Sequence, residues 1–290
     1  MATENTPLVS VLTPSFNQAE WLSDNLHSVA CQTYPSIEHV VMDGGSTDGS
    51  VDILRAAGDS VHWRSEPDRG QSHAINKAFA ESRGEIIGWL NSDDAYFDCR
   101  VVDDIVAFFG KHPEVDVVYG HCPQLSEDGT AIQVLWVPAF DLDLLKAVDF
   151  LVQPGAFMRR QALTEPLLDE SFHFGMDYEL WLRLASQGRT FRRITRLTAI
   201  DRHQPGRKSS TIKDVYRDDL ERLSRMYDTR LGTEWESQRT AFYVRQRLMG
   251  TLLTPRIRGR LAFSTSEHPK RGLLRRQLMT RKSHWPQEYR

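Results

Sequence analysis

The sequence predicts an α/β fold: a mixed, mainly parallel sheet flanked by helices, followed by a helical, basic C-terminal extension. Three observations predict it. Strand-like and helix-like stretches alternate through the first hundred residues. The apolar run Ile86 to Leu90 stops abruptly at Asn91-Ser92-Asp93-Asp94, as a buried parallel strand does where it leaves the core. Helical periodicity returns from Lys213 to Leu253, and the remainder is basic and broken by Pro255, Pro269 and Pro286.

Val9 to Leu12 reads as the first strand, leaving the sheet at Thr13-Pro14-Ser15-Phe16-Asn17. Asn17 to Glu20 resembles a capped helix start, and Trp21, Leu22, Leu26 and Val29 follow at helical spacing. Ile37 to Met42 is a second strand, closed by Asp43-Gly44-Gly45-Ser46-Thr47-Asp48-Gly49. A helix is expected over Val51 to Ala57, a strand over Val61 to Arg64, a helix over Ala74 to Ser82 and a strand over Glu85 to Leu90. Val101 to Lys111 and Met176 to Ser186 read as helices, and Asp116 to Tyr119, Gln133 to Val137 and Val152 to Met158 as strands of a less regular half. No repeat or low-complexity segment interrupts the 290 residues.

Composition narrows the function classes. At 40% hydrophobic and 26% charged residues, a sizeable core is expected and global disorder is not. The net charge of −3 gives no reason to expect nucleic acid as a partner. Arg256 to Lys282 holds nine Lys/Arg against one acid, Glu267, with few aromatic residues between them. Leu248, Leu252, Leu253, Ile257 and Leu261 interleave with Arg256, Arg258 and Arg260. An amphipathic element on an anionic membrane and a solvated extension or oligomer contact stand level as readings. Cys31, Cys99 and Cys122 lack ligand spacing, so reduced thiols in a cytoplasmic protein are expected. Met1 to Pro7 carry no secretory pattern, and no apolar stretch is long enough to span a membrane.

The candidate chemistry lies at strand ends, where open α/β sheets bind ligands. Asp93 and Asp94 repel each other unless a cation or a hydrogen-bond network compensates, and a hard divalent ion bridging to phosphate would do so. Thr13, Pro14, Ser15 and Asn17 offer small polar groups to a base or ribose. Asp43 suits the same task, with a plain turn capped by Asp48 equally favoured locally. Gly70 lies in a polar loop feeding a helix that carries Lys77, a setting suited to anion or ribose contacts. Asp177 stands at a helix start, either interacting with the helix dipole or serving as a general base. Tyr178 and Trp181 read as core or cleft walls. His203 sits among Arg202, Arg207 and Lys208, a cation cluster suited to a diphosphate.

These motifs, in this order over about residues 8 to 211, resemble family 2 glycosyltransferases of the GT-A fold, which is Rossmann-like. The resemblance implies a GT-A domain over 1–211 with the basic extension over 212–290. It implies an inverting transferase that uses a nucleotide-diphospho-sugar, with UDP the expected nucleotide, and Mg²⁺ or Mn²⁺. The acceptor would be a saccharide, a lipid-linked compound or another hydroxyl compound of cell-envelope polysaccharide, glycolipid or other glycoconjugate synthesis; contact with the inner face of the membrane belongs to the membrane reading of the basic segment.

By that resemblance Thr13, Pro14, Ser15 and Asn17 line the nucleoside pocket, Asp43 reads the base, and Asp93 binds the metal with Asp94 beside it. Asp177 matches the catalytic base and His203 a metal or diphosphate contact. Asn91 stands where the D-x-D signature has its first acid, leaving an amide that bonds ribose or coordinates weakly beside Ser92. Met176 stands where an acid often precedes the catalytic Asp. No Q-x-x-R-W motif of processive synthases is present, which implies single-sugar addition. A non-catalytic nucleotide-sugar-binding module is the main rival. A nucleotidyltransferase is the weaker one, since Thr13 to Gln18 has neither Gly nor a basic residue.

Overall fold

The computed structural model describes residues 6–126, 129, 131–203, 213–229 and 236–261, with side chains described outside 213–216 and 250–261. Arg207, Lys208 and the basic segment beyond 261 lie outside the described residues.

The first half follows the alternating pattern. Strands β1 (Val9–Ser15), β2 (Ile37–Asp43), β3 (His62–Ser65) and β4 (Ile86–Trp89) run parallel in the order β3-β2-β1-β4. Helices α1 (Ala19–Ala30), α2 (Ser50–Ala57) and α3 (Gln71–Glu81) connect them. Side chains alternate between two cores, and both are buried. Val9, Val11 and Ile86 face one, with α4 (Val101–Lys111) packed over it through Val102, Ile105 and Phe109. Leu12, Ile87 and Trp89 face the other, covered by α3 and by α6 (Met176–Ser186). A sheet covered on both faces explains why β1 and β4 are buried along their whole length, while β3 at the edge is not. The register places Ser15 beside Asp43, and Asp43 beside Ser65, so the carboxyl ends share one edge.

The second half is mixed. After β5 (Ala95–Tyr96), strand β6 (Val117–Ser126) extends well beyond the expected Tyr119, because Cys122 to Leu125 pair with β7 (Ala131–Leu135). Helix α5 spans Leu142–Ala147. The strand expected from Val152 divides into a 3₁₀ turn, Gln153–Gly155, and β8 (Ala156–Arg159), antiparallel between β4 and β6. Pro154 has no N–H to give a ladder. At Gly155 an added Cβ would lie 2.6 Å from Cys122 Sγ and 2.7 Å from Thr198 Oγ1, so the turn packs too closely for a side chain. Strands β9 (Phe191–Leu197) and β10 (Ala199–His203) pair in parallel with β6.

Two C-terminal helices follow, α7 (Lys213–Tyr227) and α8 (Glu236–Leu261), the latter continuing past Pro255. Helix α8 packs against β7 and α5, and α7 against α6. No helix among the described residues is long and apolar enough to cross a membrane. Helix α1 is not capped by Asn17, which lies at φ +52°. Asp48 accepts from the Ala19 amide at 2.8 Å and from the Ser50 amide at 3.0 Å, serving the N-termini of α1 and α2 together. Desolvation opposes the Asp48 charge, but these amides and the Ser50 hydroxyl outweigh it and hold the carboxyl below its ordinary range.

Candidate functional site

The carboxyl ends of β1, β2 and β4 open onto a cavity of about 1530 Å³. The turn after β4 is the most constrained part of its wall. Asp94 N–H donates to Asn91 O at 3.0 Å, and Asn25 Nδ2 from α1 donates to Asn91 O at 2.8 Å and Asp94 O at 3.2 Å. Arg202 of β10, only 1% exposed, completes it. Its amide donates to Asp94 Oδ1 at 3.0 Å, and its Nε donates to the Asp93 carbonyl at 2.9 Å. Its guanidinium lies 3.4 Å from Asp24 Oδ2 and 4.3 Å from the centre of the Trp21 ring. Burial pulls its pKa down, while Asp24, Asp94 and Asp93 oppose that. Nη1 remains buried without a hydrogen-bond partner.

Asn91 is held on both sides. Its Oδ1 accepts from Gln71 Nε2 at 2.8 Å and from Trp89 Nε1 at 2.8 Å, and its Nδ2 donates to Gln153 Oε1 at 2.8 Å. Gln153 in turn donates to the Trp89 carbonyl at 2.5 Å. This neutral amide chain ties the start of α3 to the turn before β8. The oxygen that would approach a cation is therefore already engaged. Among the described residues no three His, Cys, Asp or Glu side chains gather into a metal cage. At this turn the carboxylates that line the cavity are Asp93 and Asp94, with Asp94 Oδ1 tied to β10. That set fits a hard ion whose other ligands are substrate phosphates and water.

The sequence-derived candidates divide into those that line the cavity and those behind its wall. Pro14, Ser15, Gly70, Asn91, Ser92, Asp93, Asp94, Asp177 and Arg202 line it. Ser15 Oγ is buried there without a partner. Thr13 lies behind the wall, donating to Leu90 O at 2.8 Å and pairing with His39 Nε2 at 2.9 Å. Burial pushes His39 down to about 3, so it is neutral. Asn17 accepts from the Thr47 amide at 2.9 Å and holds its own loop. Lys77 pairs with Glu66 at 3.0 Å, and His203 is exposed at the end of β10; neither lines the cavity.

Asp43 is fully buried. Oδ2 accepts from the Gly45 and Ser46 amides at 3.1 and 2.8 Å and from Ser65 Oγ at 2.7 Å, while Oδ1 accepts from Ser46 Oγ at 2.5 Å. Its carboxylate braces the turn, and Gly44 presents backbone to the cavity in its place. A Cβ at Gly44 would sit 2.8 Å from Asp68 Oδ2, so the Asp68 carboxylate occupies the space a side chain there would need.

Asp177, in the first turn of α6, accepts from the Tyr178 amide at 2.9 Å. The residue sequence reasoning missed is Asp149. It is exposed and lines the same cavity, between buried Val148 and Phe150. Surrounding protein and the Asp177 charge raise its carboxyl well above the ordinary range, against the Leu151 amide that lowers it. Its one available signal was a lone acid inside the apolar run Ala147 to Val152.

Residues 10–167 match the family model described as Glycosyl transferase family 2. A PGL/p-HBAD biosynthesis glycosyltransferase of Mycobacterium bovis (strain BCG / Pasteur 1173P2) is 29% identical over 231 residues, covering 78% of this chain and 87% of that protein. An uncharacterized glycosyltransferase of Mycobacterium tuberculosis (strain CDC 1551 / Oshkosh) is 39% identical over 160 residues, 54% of this chain and 53% of its own. The crystal structure of S. aureus TarS 1–349 in complex with UDP superposes with a TM-score of 0.57 at 18% identity, covering 80% of this chain and 77% of that one. The mannosyltransferase PcManGT from Pyrobaculum calidifontis, in complex with GDP-Man and Mn²⁺, gives 0.53 at 18% identity, covering 94% and 85%. At these identities the structures show a shared GT-A fold.

Proposed function

The chain belongs to glycosyl transferase family 2, a family of sugar-transferring enzymes, and on that premise we propose that it moves one sugar from a nucleotide-diphospho-sugar to an acceptor hydroxyl with inversion. The observation that carries this reading is that Asp93, at the end of β4, and Asp177, at the start of α6, line one cavity. UDP is the nucleotide we propose, with Ser15, Gly70 and Ser92 meeting the nucleoside portion; Thr13, Asn17, Asp43 and Asn91 shape that wall from behind or within it.

Asp177 accepts the proton of the acceptor hydroxyl as its oxygen attacks the anomeric carbon. The bond from that carbon to the diphosphate oxygen breaks on the opposite face, and the nucleoside diphosphate leaves with the electron pair. Arg202 keeps the turn at Asp93 and Asp94 in place, so the leaving group meets a fixed wall. Asp93 would hold Mg²⁺ or Mn²⁺, which when bound offsets charge on the diphosphate. The acceptor class we propose is a glycolipid or polysaccharide intermediate.

Thermal-shift titration against UDP-, GDP-, CDP- and ADP-sugars, with and without Mn²⁺, tests donor binding by mass action. Product analysis of the stabilising donor with candidate acceptors is expected to give a nucleoside diphosphate. Pyrophosphate as the product, or donor binding without turnover across a broad acceptor panel, would overturn the reading. Flotation of the full-length chain with anionic vesicles tests membrane contact through residues 256–282.

A further inference from the structure

The cavity has a second wall that donor binding leaves unexplained. At about 1530 Å³ it exceeds the roughly 300–1,000 Å³ that a single small ligand fills. Away from the strand ends, its lining comes from β7, the segment before β8, and helices α6, α7 and α8. Two large apolar side chains stand open on this wall, Ile132 of β7 at 38% exposure and Tyr243 of α8 at 59%. Scattered exposed hydrophobic residues are ordinary on protein surfaces. Leu142, Met226, Val244 and Leu248 are of that kind, since they are exposed and do not line the cavity. Ile132 and Tyr243 differ because they belong to two packed elements and open onto one space with Asp177.

Helix α8 turns a defined face to that space. Phe242, Tyr243, Gln246 and Arg247 line it, at the spacing of neighbouring helical turns. Phe242 and Tyr243 meet edge to face, with ring centroids 5.4 Å apart. Gln246 Oε1 is buried there with no hydrogen-bond partner, so the wall also holds a polar acceptor awaiting a donor. An apolar wall with a few placed polar groups is the composition of a site for an amphipathic molecule.

We propose that this wall binds an apolar aryl or acyl group carried by the acceptor beside the hydroxyl to be glycosylated, and that α8 is therefore an acceptor-recognising element. The proposal rests on the sugar-transfer reading and adds the acceptor's chemistry to it. The apolar group lies between Ile132 and Tyr243, and Gln246 Oε1 accepts from a hydroxyl of the polar portion. Asp177 faces the reacting hydroxyl at the junction of the two walls.

The test uses calorimetric titration of the full-length chain with n-octyl glucoside, below its micellar concentration, and with methyl glucoside. The octyl compound is expected to bind saturably at one site, at least about tenfold more tightly than the methyl compound. Ile132→Ser with Tyr243→Ser is expected to reduce that advantage to about threefold or less, and Tyr243→Phe to retain it. UDP affinity measured on the same samples is expected to stay within about twofold, which also reports that the double variant is folded. Absence of saturable octyl glucoside binding, or equal binding by the double variant, overturns the proposal. Failure of the wild-type chain to bind any nucleotide or nucleotide sugar strikes instead at the sugar-transfer reading, so the two failures are distinguishable.

Discussion

The wall of the cavity formed by β1, β2 and β4 is drawn from Pro14 to Asp94, and most of its polar groups are bonded within the same wall, to α1 and β10, or across to Gln153. The facing wall is drawn from Ile132 to Arg247, across β7, the segment before β8, and α6, α7 and α8. It presents exposed Tyr243 and Ile132, an unanswered Gln246 oxygen, and the adjacent carboxyls of Asp149 and Asp177. The strand-end wall is densely cross-linked, with Ser15 Oγ and Arg202 Nη1 its unanswered atoms, while the facing wall is more apolar and carries the two neighbouring carboxyls. The lesson is that a ligand held by backbone and short polar turns needs a rigid frame, whereas proton transfer needs a carboxyl whose environment shifts its affinity for a proton.

Four substitutions would break or sharpen that contrast. The largest effect is expected at Asp177. Asp177→Asn should lower transfer by about 10²–10⁴-fold while nucleotide affinity stays within about twofold, since only the open wall is touched. Loss of nucleotide binding in that variant would show that the walls are not separable. Next, Arg202→Met should destabilise the fold by about 3–5 kcal/mol in urea unfolding, because Asp24 loses its buried cationic partner and the Asp93 carbonyl loses its Nε donor. A change below about 1 kcal/mol would mean that the closed wall is held by something else.

Asn91→Asp is the counterintuitive case. It restores the acidic signature, yet it sets a carboxylate against Gln153 Oε1 where the amide now donates. The expected cost is about 1–3 kcal/mol of stability, with no gain in Mn²⁺ affinity by calorimetry. Tighter Mn²⁺ binding would show that the amide chain gives way to a cation. The smallest effect is expected at Asp149, and with opposite sign. Its raised pKa means the native state keeps a proton that the unfolded chain releases at about pH 4. Stability from this group is therefore present at acid pH and lost as pH rises through the raised value. Asp149→Asn should raise Tm at pH 8 and leave it unchanged below pH 4. Equal Tm at both pH values would show that the open wall carries no electrostatic strain.

The same contrast decides what was legible in the sequence. Strands β1, β2 and β4 were readable because each carries a buried apolar stretch that ends in its own polar turn, so periodicity and position coincide. The direction in which a turn's side chain points was not readable. Asp43 braces its loop because Ser46 and Ser65 converge on it from different segments, and Lys77 turns to Glu66. Asn91 looked like a weakened acid, while its amide partners lie 20 and 62 positions away. The open wall was largely silent. Phe242 and Tyr243 acquire meaning only once α8 lies along β7, and Asp149 only once its segment faces α6.

Arg202 has a consequence in time. The acids it balances, Asp24, Asp93 and Asp94, are synthesised first, and their partner follows 108 positions after Asp94. A nascent chain that has completed β4 thus carries an acidic corner with no buried cation to answer it. Only the arrival of β10 neutralises that corner, so this late strand times when the turn at Asp93 and Asp94 becomes fixed. Chains ended before Ala199 are expected to form the parallel strands in pulse-labelling hydrogen exchange yet leave Asn91 to Asp94 unprotected.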